Sequence, residues 1–291
     1  MQWWLTVTES WWVRLLLGML GSVLIAGAAY RRQSLSGSGA LSAAVMGSAF
    51  VTLGGPVWFG CLIMFFVTSS AWSSWKRRHR AKQQAEASYA KGSRRDAGQV
   101  WANGGLGLAL CLAHAIWPDP LWLFAFVGVM ASANADTWAT EIGALSRSAP
   151  RALIGWHRVE PGTSGGVTFL GSSAAFAGAG LIGLTGAVLA VVAPLAQQVS
   201  APPFTLQLGV VLAVIGAIAG LVGAFVDSWL GAVCQVMYRC RSCGKETERA
   251  QHCDVPAEQI RGWRWMTNDV VNLLAAAVAG LLAVLLAFLW I

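Results

Sequence analysis

Four acidic residues lie near the ends of long apolar segments, where a charge is costly. They are Asp136, Glu141, Asp227 and Asp269. Moving a charged side chain into a bilayer costs about 2.5–3.5 kcal/mol on insertion scales, so such residues usually face the interior of a helix bundle and serve a function. Three separate segments carry these acids at a similar depth and on the same side. This coincidence predicts that their carboxylates form one site.

Amide side chains accompany the acids at helical spacing. Asn134 and Glu141 are seven residues apart and share a helix face, and Asp269 and Asn272 are three apart on another. Asn268 directly precedes Asp269. Carboxylates and amides that converge can bind a hard cation such as Mg²⁺ through oxygen. The alternative is that these residues cap helices or join them by hydrogen bonds, with Asp269 as a candidate N-cap.

A glycine-rich loop, Pro161–Gly166, precedes another apolar segment. Its candidate phosphate-binding residues are Gly162, Thr163, Ser164, Gly165 and Gly166. The glycines permit tight turns, so the amides, the hydroxyls and the dipole of the following helix could face one anion. It is not a Walker A loop, because no Gly-Lys-Ser/Thr follows at the required spacing. The alternative is a plain turn before a helix.

Basic residues upstream of this loop predict a positive patch opposite the acids. The candidates are Arg147, Arg151 and Arg158. Acids that hold a metal beside bases that hold phosphate are the arrangement that phosphoryl or nucleotidyl transfer requires. The alternative is that these arginines only set the topology of the chain in the membrane.

A second group of candidate ligands lies further along the chain. It consists of Cys240, Cys243, His252 and Cys253. Four donors this close in sequence predict a small tetrahedral zinc site, and a site closed by four protein ligands is structural rather than catalytic. Disulfides are not expected, because the segment is predicted to face the cytosol. The alternative is a set of reduced thiols without metal.

The elements that position these residues are predicted to be membrane-spanning helices. The sequence is 56% hydrophobic and only 11% charged, whereas soluble domains carry about 25% charged residues. Spanning helices need about 20 mostly apolar residues. Eight segments qualify, at 12–30, 39–54, 57–75, 98–117, 120–142, 167–193, 206–229 and 269–290. We therefore predict an all-α, polytopic integral membrane helix bundle that forms a single domain over residues 1–291.

The positions of the basic residues predict the orientation of this bundle. Of the 20 Lys and Arg residues, 19 lie in alternate loops, which include the polar segments 76–99, 145–166 and 234–267. Cytoplasmic loops carry such an excess, so these loops are predicted to be cytoplasmic and both termini to lie outside the cell membrane. Because topology accounts for the basic residues, nucleic acid is not an expected partner.

Several motifs together resemble a known family. They are Asn134–Gly143, Ser148–Arg151, Gly162–Val167 with Gly171, Asp227–Ala232 with Gln235, and Asn268–Asn272. In order and spacing the chain resembles the DUF92, or transmembrane protein 19, family. The resemblance covers nearly the whole chain and is most specific over residues 130–275. This family includes the phytyl-phosphate kinases, which add a second phosphate to a prenyl monophosphate.

The resemblance implies a magnesium-dependent transferase at the cytoplasmic membrane face. A phosphoryl group would pass from a nucleoside triphosphate, CTP or ATP, to an isoprenoid monophosphate of the phytyl type, whose tail would lie between helices among membrane lipids. Asp136, Asp227 and Asp269 would hold Mg²⁺ on the nucleotide. The groups orienting the nucleotide would be Asn134, Glu141, Asn268 and Asn272. The acceptor phosphate would lie near Gly162–Gly166 and the nearby arginines.

Other functions fit parts of the same pattern. A lipid alcohol kinase that uses CTP, or a cytidylyltransferase, would need the same groups on the same face. An alcohol acceptor benefits from a carboxylate base, whereas a phosphate is already anionic near neutral pH. A secondary transporter would also carry intramembrane acids, but it would place them near the midplane between broken helices.

Overall fold

The computed structural model describes residues 10–75, 83, 89–192 and 204–290. Half of the predicted basic loop 76–99 therefore lies outside the described residues. Within them the chain is mostly helical, and eight long helices correspond to the eight predicted segments. They are α1 (Trp11–Arg31), α2 (Gly37–Leu53), α3 (Pro56–Ser74), α4 (Ala97–Ile116), α5 (Pro120–Gly143), α6 (Phe169–Val192), α7 (Leu206–Val233) and α8 (Asn268–Ala287).

Five of these helices are long and apolar enough to cross a membrane by length and composition. They are α1, α3, α6, α7 and α8. Large apolar side chains on their outer faces are exposed, as Leu20 and Leu24 are on α1. In water such a surface would be unstable, whereas lipid tails are an apolar solvent for it.

Helix α5 is the centre of the bundle. It packs against α3, α4, α6, α7 and α8, and every residue from Leu123 to Ala135 is buried. Small residues allow neighbouring helices to approach it closely. A Cβ atom on Gly220 would lie 2.6 Å from Ala131 Cβ, and one on Gly128 would lie 2.8 Å from Ala279 O. The central helix therefore packs through glycine contacts of the kind that are common in membranes.

The connecting segments that carry basic residues meet at one end of the bundle, which we call the basic end. They are residues 32–36, 89–96, 144–168 and 234–267. Hydrogen bonds join them from Ser36 N to Arg95 O at 2.9 Å, from Ala90 N to Glu248 Oε2 at 3.0 Å, and from Ser164 Oγ to Gln235 Oε1 at 2.9 Å. The side of the membrane that this end faces stays a prediction from the charges.

The expectation of an all-α fold is wrong for two of these connections. Residues 144–168 contain β1 (Arg151–Ala152) paired with β2 (Gly166–Val167). Residues 234–267, which we call the β unit, contain β3 (Met237–Arg239), β4 (Glu246–Thr247), β5 (Gln251–His252), β6 (Val255–Pro256) and β7 (Glu258–Arg261). The strand order is β4-β3-β7, with β5-β6 as a separate hairpin.

The physical reason is that polar connections still need partners for their backbone groups. Where a connection packs against helix ends and is partly buried, antiparallel pairing satisfies amides and carbonyls that water cannot reach. Gly244, with φ of +73°, supplies the turn between β3 and β4, and Gly262, with the same φ, follows directly after β7. A sequence pattern two to four residues long is too short to predict such strands.

Candidate functional site

A cavity of about 540 Å³ opens at the basic end between α4, α5, α6, α7 and α8. Its acidic lining consists of Asp136, Glu141, Asp227, Glu248 and Asp269. The lining also includes Gly162–Gly166, Asn268 and Asn272. The structure therefore brings together all four predicted acids, the glycine-rich loop and two of the three predicted amides.

Two of the acids face each other across the contact between α5 and α7. The carboxyl groups of Asp136 and Asp227 lie within hydrogen-bonding range, and Asp227 is buried. Two carboxylates this close repel one another strongly where water is excluded. The arrangement is therefore stable only with a proton or a cation between them.

Three buried oxygen atoms at the cavity have no hydrogen-bond partner among the described residues. They are Asp227 Oδ2, Asp269 Oδ1 and Asn272 Oδ1. Leaving a buried polar atom unsatisfied costs about 1–3 kcal/mol. Carboxylate and amide oxygens are the ligands that Mg²⁺ takes, and it usually uses only one or two carboxylates, with water and phosphate as the other ligands. The residues present therefore fit the ion that the resemblance implies.

Asp269 was also a candidate N-cap, and that alternative is wrong. The N-cap of α8 is Thr267, and Asp269 lies within the first turn. Here its carboxylate interacts favourably with the helix dipole, and one oxygen remains unsatisfied. The helix therefore positions Asp269, and its carboxylate does not serve as the N-cap.

Lys91 provides one positive charge in the cavity. Its Nζ lies 2.5 Å from Asp269 Oδ2 and 3.0 Å from Asp96 Oδ2. Burial lowers the pKa of Lys91, but hydrogen bonds and attraction from the two carboxylates outweigh it and raise the pKa above its ordinary value. Asp96 also caps α4 through Gln99. Lys91 therefore stays charged and ties the start of α4 to the start of α8.

Arg95 provides the second positive charge, on the side of the cavity that faces α3. Its guanidinium stacks 5.5 Å from the Phe65 ring. Burial lowers the pKa of Arg95, and the Glu141 carboxylate opposes that shift. Glu141 in turn accepts a 2.5 Å hydrogen bond from Ser73 Oγ. Lys91 and Arg95 are the basic residues in the cavity lining among those that the structure describes.

The predicted arginines are elsewhere. Arg147, Arg151 and Arg158 are exposed and do not belong to the lining. Arg151 instead donates to Trp156 O at 3.0 Å and stacks on its ring. The positive patch predicted from these three residues is therefore wrong, because β1 and β2 hold this connection with its arginines pointing outward.

Asn134 is also outside the cavity. Its side chain is fully buried, donates to Gly178 O at 2.8 Å and accepts from the hydroxyls of Thr68 and Ser69 at 3.2 Å. Buried amides that are fully satisfied fix helix packing. Asn134 therefore joins α5 to α3 and α6 and does not line the cavity.

The glycine-rich loop is held against the end of α7. Gly162 and Gly165 have φ of +88° and +84°, a conformation that favours glycine. A Cβ on Gly165 would lie 2.5 Å from Ala232 Cβ. Ser164 Oγ donates to Gln235 Oε1 at 2.9 Å, so this hydroxyl is not free to donate to an anion. Any anion contact from Ser164 would have to use its backbone amide.

Sequence reasoning missed Glu248, which reaches the cavity from the β unit. Its carboxylate accepts from Gln235 Nε2 at 2.7 Å and from Ala90 N at 3.0 Å. Burial raises the pKa of Glu248. No local pattern distinguishes this residue, because its neighbours are polar and the nearest cavity acids in sequence, Asp227 and Asp269, are each 21 residues away. Lys91 was missed for a different reason: the orientation of the chain in the membrane was enough to account for a basic residue in this loop.

The four candidate zinc ligands are brought together at the outer side of the β unit. Their donor atoms all lie within 4.8 Å of one another. Backbone hydrogen bonds at Cys243, with further help from the His252 side chain, lower the pKa of the Cys240 thiol to about 6. The pKa of Cys253 is raised to about 11, chiefly by its hydrogen bond to Cys243. The thiols therefore interact as one group.

Comparisons with known proteins agree with this architecture. The family model described as integral membrane protein DUF92 matches residues 20–280. Protein PGR of Arabidopsis thaliana is 29% identical over 285 residues, covering 92% of this chain and 94% of that protein. An uncharacterized membrane protein of Methanocaldococcus jannaschii is 26% identical over 222 residues, covering 76% of this chain and 83% of that protein. No solved structure matches the chain.

Proposed function

Because this chain belongs to the DUF92 family of integral membrane proteins, we propose that its cavity transfers a phosphoryl group from a nucleoside triphosphate to an isoprenoid monophosphate. The observation that carries the proposal is the set of unsatisfied oxygens on Asp227, Asp269 and Asn272 in the same cavity as Lys91 and Arg95. Ligands for a cation beside ligands for phosphate are what phosphoryl transfer needs.

The acids would bind the nucleotide through magnesium. Asp227, Asp269 and Asn272 would hold Mg²⁺, with Asp136 beside Asp227 as the fourth candidate. When bound, the ion would neutralise phosphate oxygens and stabilise the charge of the transferring group. The carboxyl pair of Asp136 and Asp227 supports this assignment, because a divalent cation would remove their mutual repulsion.

The basic residues would bind phosphate directly. A guanidinium offers two parallel donors to phosphate oxygens, and an ammonium acts as a point charge. Arg95 and Lys91 lie on the lining of the same cavity. Lys91 is paired with Asp269, and the Glu141 carboxylate attracts Arg95, so an arriving phosphate would compete with Asp269 for Lys91 and with Glu141 for Arg95. Substrate binding would therefore release Asp269 from its ion pair with Lys91 and leave its carboxylate available to Mg²⁺.

An apolar crevice beside the cavity supports a lipid acceptor. It lies between α1, α2, α3 and α4, has a volume of about 60 Å³ and shares Arg95, Gln99 and Asn103 with the cavity. Its other walls are mostly apolar, such as Met46, Leu62 and Phe66. The volume suits only the first part of a prenyl chain, so the rest would extend among membrane lipids.

A lipid alcohol kinase is the second candidate, and Glu248 favours it. A carboxylate whose pKa is raised by burial is a better general base than an exposed one. An alcohol acceptor would need this base to accept its proton, and a monophosphate would not. A transporter is less well supported, because the acids gather at one end of the bundle rather than near the midplane.

The test uses the full chain purified into nanodiscs. It is incubated with Mg²⁺, γ-labelled CTP or ATP, and phytyl, geranylgeranyl or farnesyl monophosphate, in parallel with the corresponding alcohols. Labelled prenyl diphosphate that disappears in Asp227→Asn but not in the exposed control Glu258→Gln supports the proposal. Label only on the alcohols would favour the second candidate. No label from folded protein would contradict both, and proteoliposome uptake would then test transport.

A further inference from the structure

The β unit contains a group of ligands that the proposed reaction does not use. The group, which we call the cysteine cluster, consists of Cys240, Cys243, His252 and Cys253, whose donor atoms lie within 4.8 Å of one another. We propose that the cysteine cluster binds one structural Zn²⁺ ion, and that this ion fixes the loop that carries Glu248 into the cavity.

The first pair of ligands lies on a tight turn. Cys240 N donates to Lys245 O at 2.9 Å, and Gly244 N donates to Cys240 O at 2.9 Å. Gly244 completes the turn with φ of +73°, a conformation that glycine adopts without steric cost. The turn places both thiol groups on the same side. This local geometry therefore supplies two ligands without any contribution from the rest of the fold.

The second pair lies at the tip of the hairpin between β5 and β6. His252 and Cys253 are adjacent, and side chains of adjacent strand residues normally point to opposite faces. Here Cys253 has φ of +52° and Asp254 has φ of +59°, which is uncommon for residues other than glycine. The hairpin tip brings Cys253 Sγ to 3.2 Å from His252 Nδ1. Such backbone strain persists where surrounding structure holds it, often at ligand sites.

The two pairs meet at distances that suit one tetrahedral ion. Zinc lies about 2.3 Å from thiolate sulfur and about 2.0 Å from imidazole nitrogen, so ligands at tetrahedral corners are roughly 3.5–3.8 Å apart. Cys243 Sγ lies 3.5 Å from His252 Nδ1. Three thiols and one imidazole fill all four positions, which is typical of a structural zinc site rather than a catalytic one.

The consequence for the cavity follows from where the ligands lie along the chain. Cys243 and His252 are the two ends of a loop whose middle carries Glu248 and Arg249. Glu248 accepts from Gln235 and Ala90, and Arg249 Nε donates to Tyr89 O at 2.7 Å. A metal that joins the loop ends reduces the conformational freedom that the loop would otherwise have. Zinc would therefore position Glu248 without touching the cavity.

The first measurement is the metal content of tag-free, full-length protein. Elemental analysis is expected to give about one zinc per chain, and X-ray absorption at the zinc edge is expected to show three sulfur ligands and one nitrogen ligand. The double variant Cys243→Ser/Cys253→Ser is expected to lose at least about nine-tenths of the zinc. Cys234→Ser is the matched control, because Cys234 is partly buried at the end of α7 and lies outside the cluster.

A second measurement does not depend on whether the variant folds. Thiol modification of the wild-type protein by an organomercurial should release one zinc per chain as the three cluster thiols react, followed with a zinc indicator. Wild-type protein without zinc after growth in zinc-containing medium would overturn the proposal, as would zinc that stays in a folded double variant. Because metal is counted directly, these results are independent of the proposed kinase activity.

Discussion

The cavity and the cysteine cluster are two groups of potential metal ligands that are built in opposite ways. The cavity draws oxygen donors from α5, α7 and α8, and several of those oxygens have no partner. The cluster draws sulfur and nitrogen donors from the single segment 240–253, and its four donors complete a closed set. An incomplete set of hard ligands suits an exchanging magnesium–nucleotide complex, whereas a complete set of soft ligands suits a permanent structural ion.

The two regions also differ in what holds them in place. The cavity depends on the packing of the whole bundle, because four of its acids lie on α5, α7 and α8, three separate helices that pack against one another. The cluster depends on two short turns with left-handed backbone conformations. Substitutions of the cavity acids should therefore abolish the proposed activity while the fold persists. Substitutions in the cysteine cluster should instead make the part of the cavity wall that carries Glu248 less rigid.

The largest effect is expected for Asp227→Asn. Removing one group that stabilises charge in the transition state typically costs a factor of about 100–1000 in rate, so we expect activity to fall at least about 100-fold. Thermal unfolding without Mg²⁺ should move to higher temperature, because the repulsion with Asp136 is relieved. The stabilisation that added Mg²⁺ gives the wild type should disappear. Full activity in this variant would remove the magnesium assignment.

The next largest effect is expected for Lys91→Met. This change removes a phosphate ligand, and a charged hydrogen bond contributes about 1.5–3 kcal/mol, so we expect activity to fall about 10- to 100-fold. Lys91→Arg should restore part of it, because charge is kept but the geometry differs. Initial rates at varied nucleotide concentration measure both. An unchanged rate in Lys91→Met would show that Lys91 only pairs with Asp269 and Asp96.

Loss of zinc should have a smaller effect on activity than either change in the cavity. In Cys243→Ser we expect a several-fold decrease, because Glu248 loses a positioning constraint but no ligand for substrate is removed. Hydrogen exchange should increase in residues 244–251 and stay unchanged in α5. A loss as large as that of Asp227→Asn would contradict the separation of the two regions and make the cluster part of the catalytic site.

The ion pair of Lys91 sets an expected pH dependence of stability. The raised pKa of Lys91 means that its contribution is complete below the unfolded value of about 10.4 and is lost as pH rises through the folded value. The lowered pKa of Asp96 means that its contribution is present above about 3.9 and is lost as pH falls through the folded value. The unfolding temperatures of the wild type and of Lys91→Met should thus differ between about pH 4 and 10. They should become equal at pH values well below and well above this range.

The size of this difference should be modest. The Lys91 and Asp96 side chains are 37% and 40% exposed, and solvent screening limits such pairs to about 0.2–1 kcal/mol. Added salt should reduce the difference between wild type and Lys91→Met. A difference that salt leaves unchanged would indicate a more deeply buried interaction than the structure has.

The smallest effect is expected for Arg151→Gln. Sequence reasoning placed this arginine near the acceptor phosphate, whereas the structure has it stacked outside the cavity on Trp156. We expect activity to change less than about two-fold. Substitutions of surface residues that lie outside a functional site or a buried network usually have effects within about 0.5 kcal/mol. Steady-state rates across acceptor concentrations measure this. A large increase in the acceptor concentration needed for half-maximal rate would return Arg151 to the site.

Much of the fold follows from the sequence, because the hydrophobic effect acts on long segments. Each apolar segment of about 20 residues can satisfy its backbone in a membrane only as a helix, and all eight predicted segments correspond to helices of the structure. The short strands of the β unit could not be predicted, since they form from contacts between neighbouring connections rather than from a local pattern.

The candidate site divides in the same way. Asp136, Asp227 and Asp269 could be found from sequence, because a charge in an apolar segment is costly and conspicuous. The candidate zinc ligands could be found because all four lie within residues 240–253. Asn134 has helical spacing to Glu141 and was therefore predicted to belong to the site. Only packing decides that its amide faces Thr68, Ser69 and Gly178 instead.

The sequence by itself determined which segments are helical, which polar residues lie inside them, and which connections carry the positive charge. Each of these properties depends on residues that are close together in the chain. Only the tertiary structure decided that Lys91, Arg95 and Glu248 complete the cavity and that Arg147, Arg151 and Arg158 do not. The reason is physical: the direction of a side chain on a polar connection is set by the hydrogen bonds and helix ends it packs against, and those partners are distant in sequence.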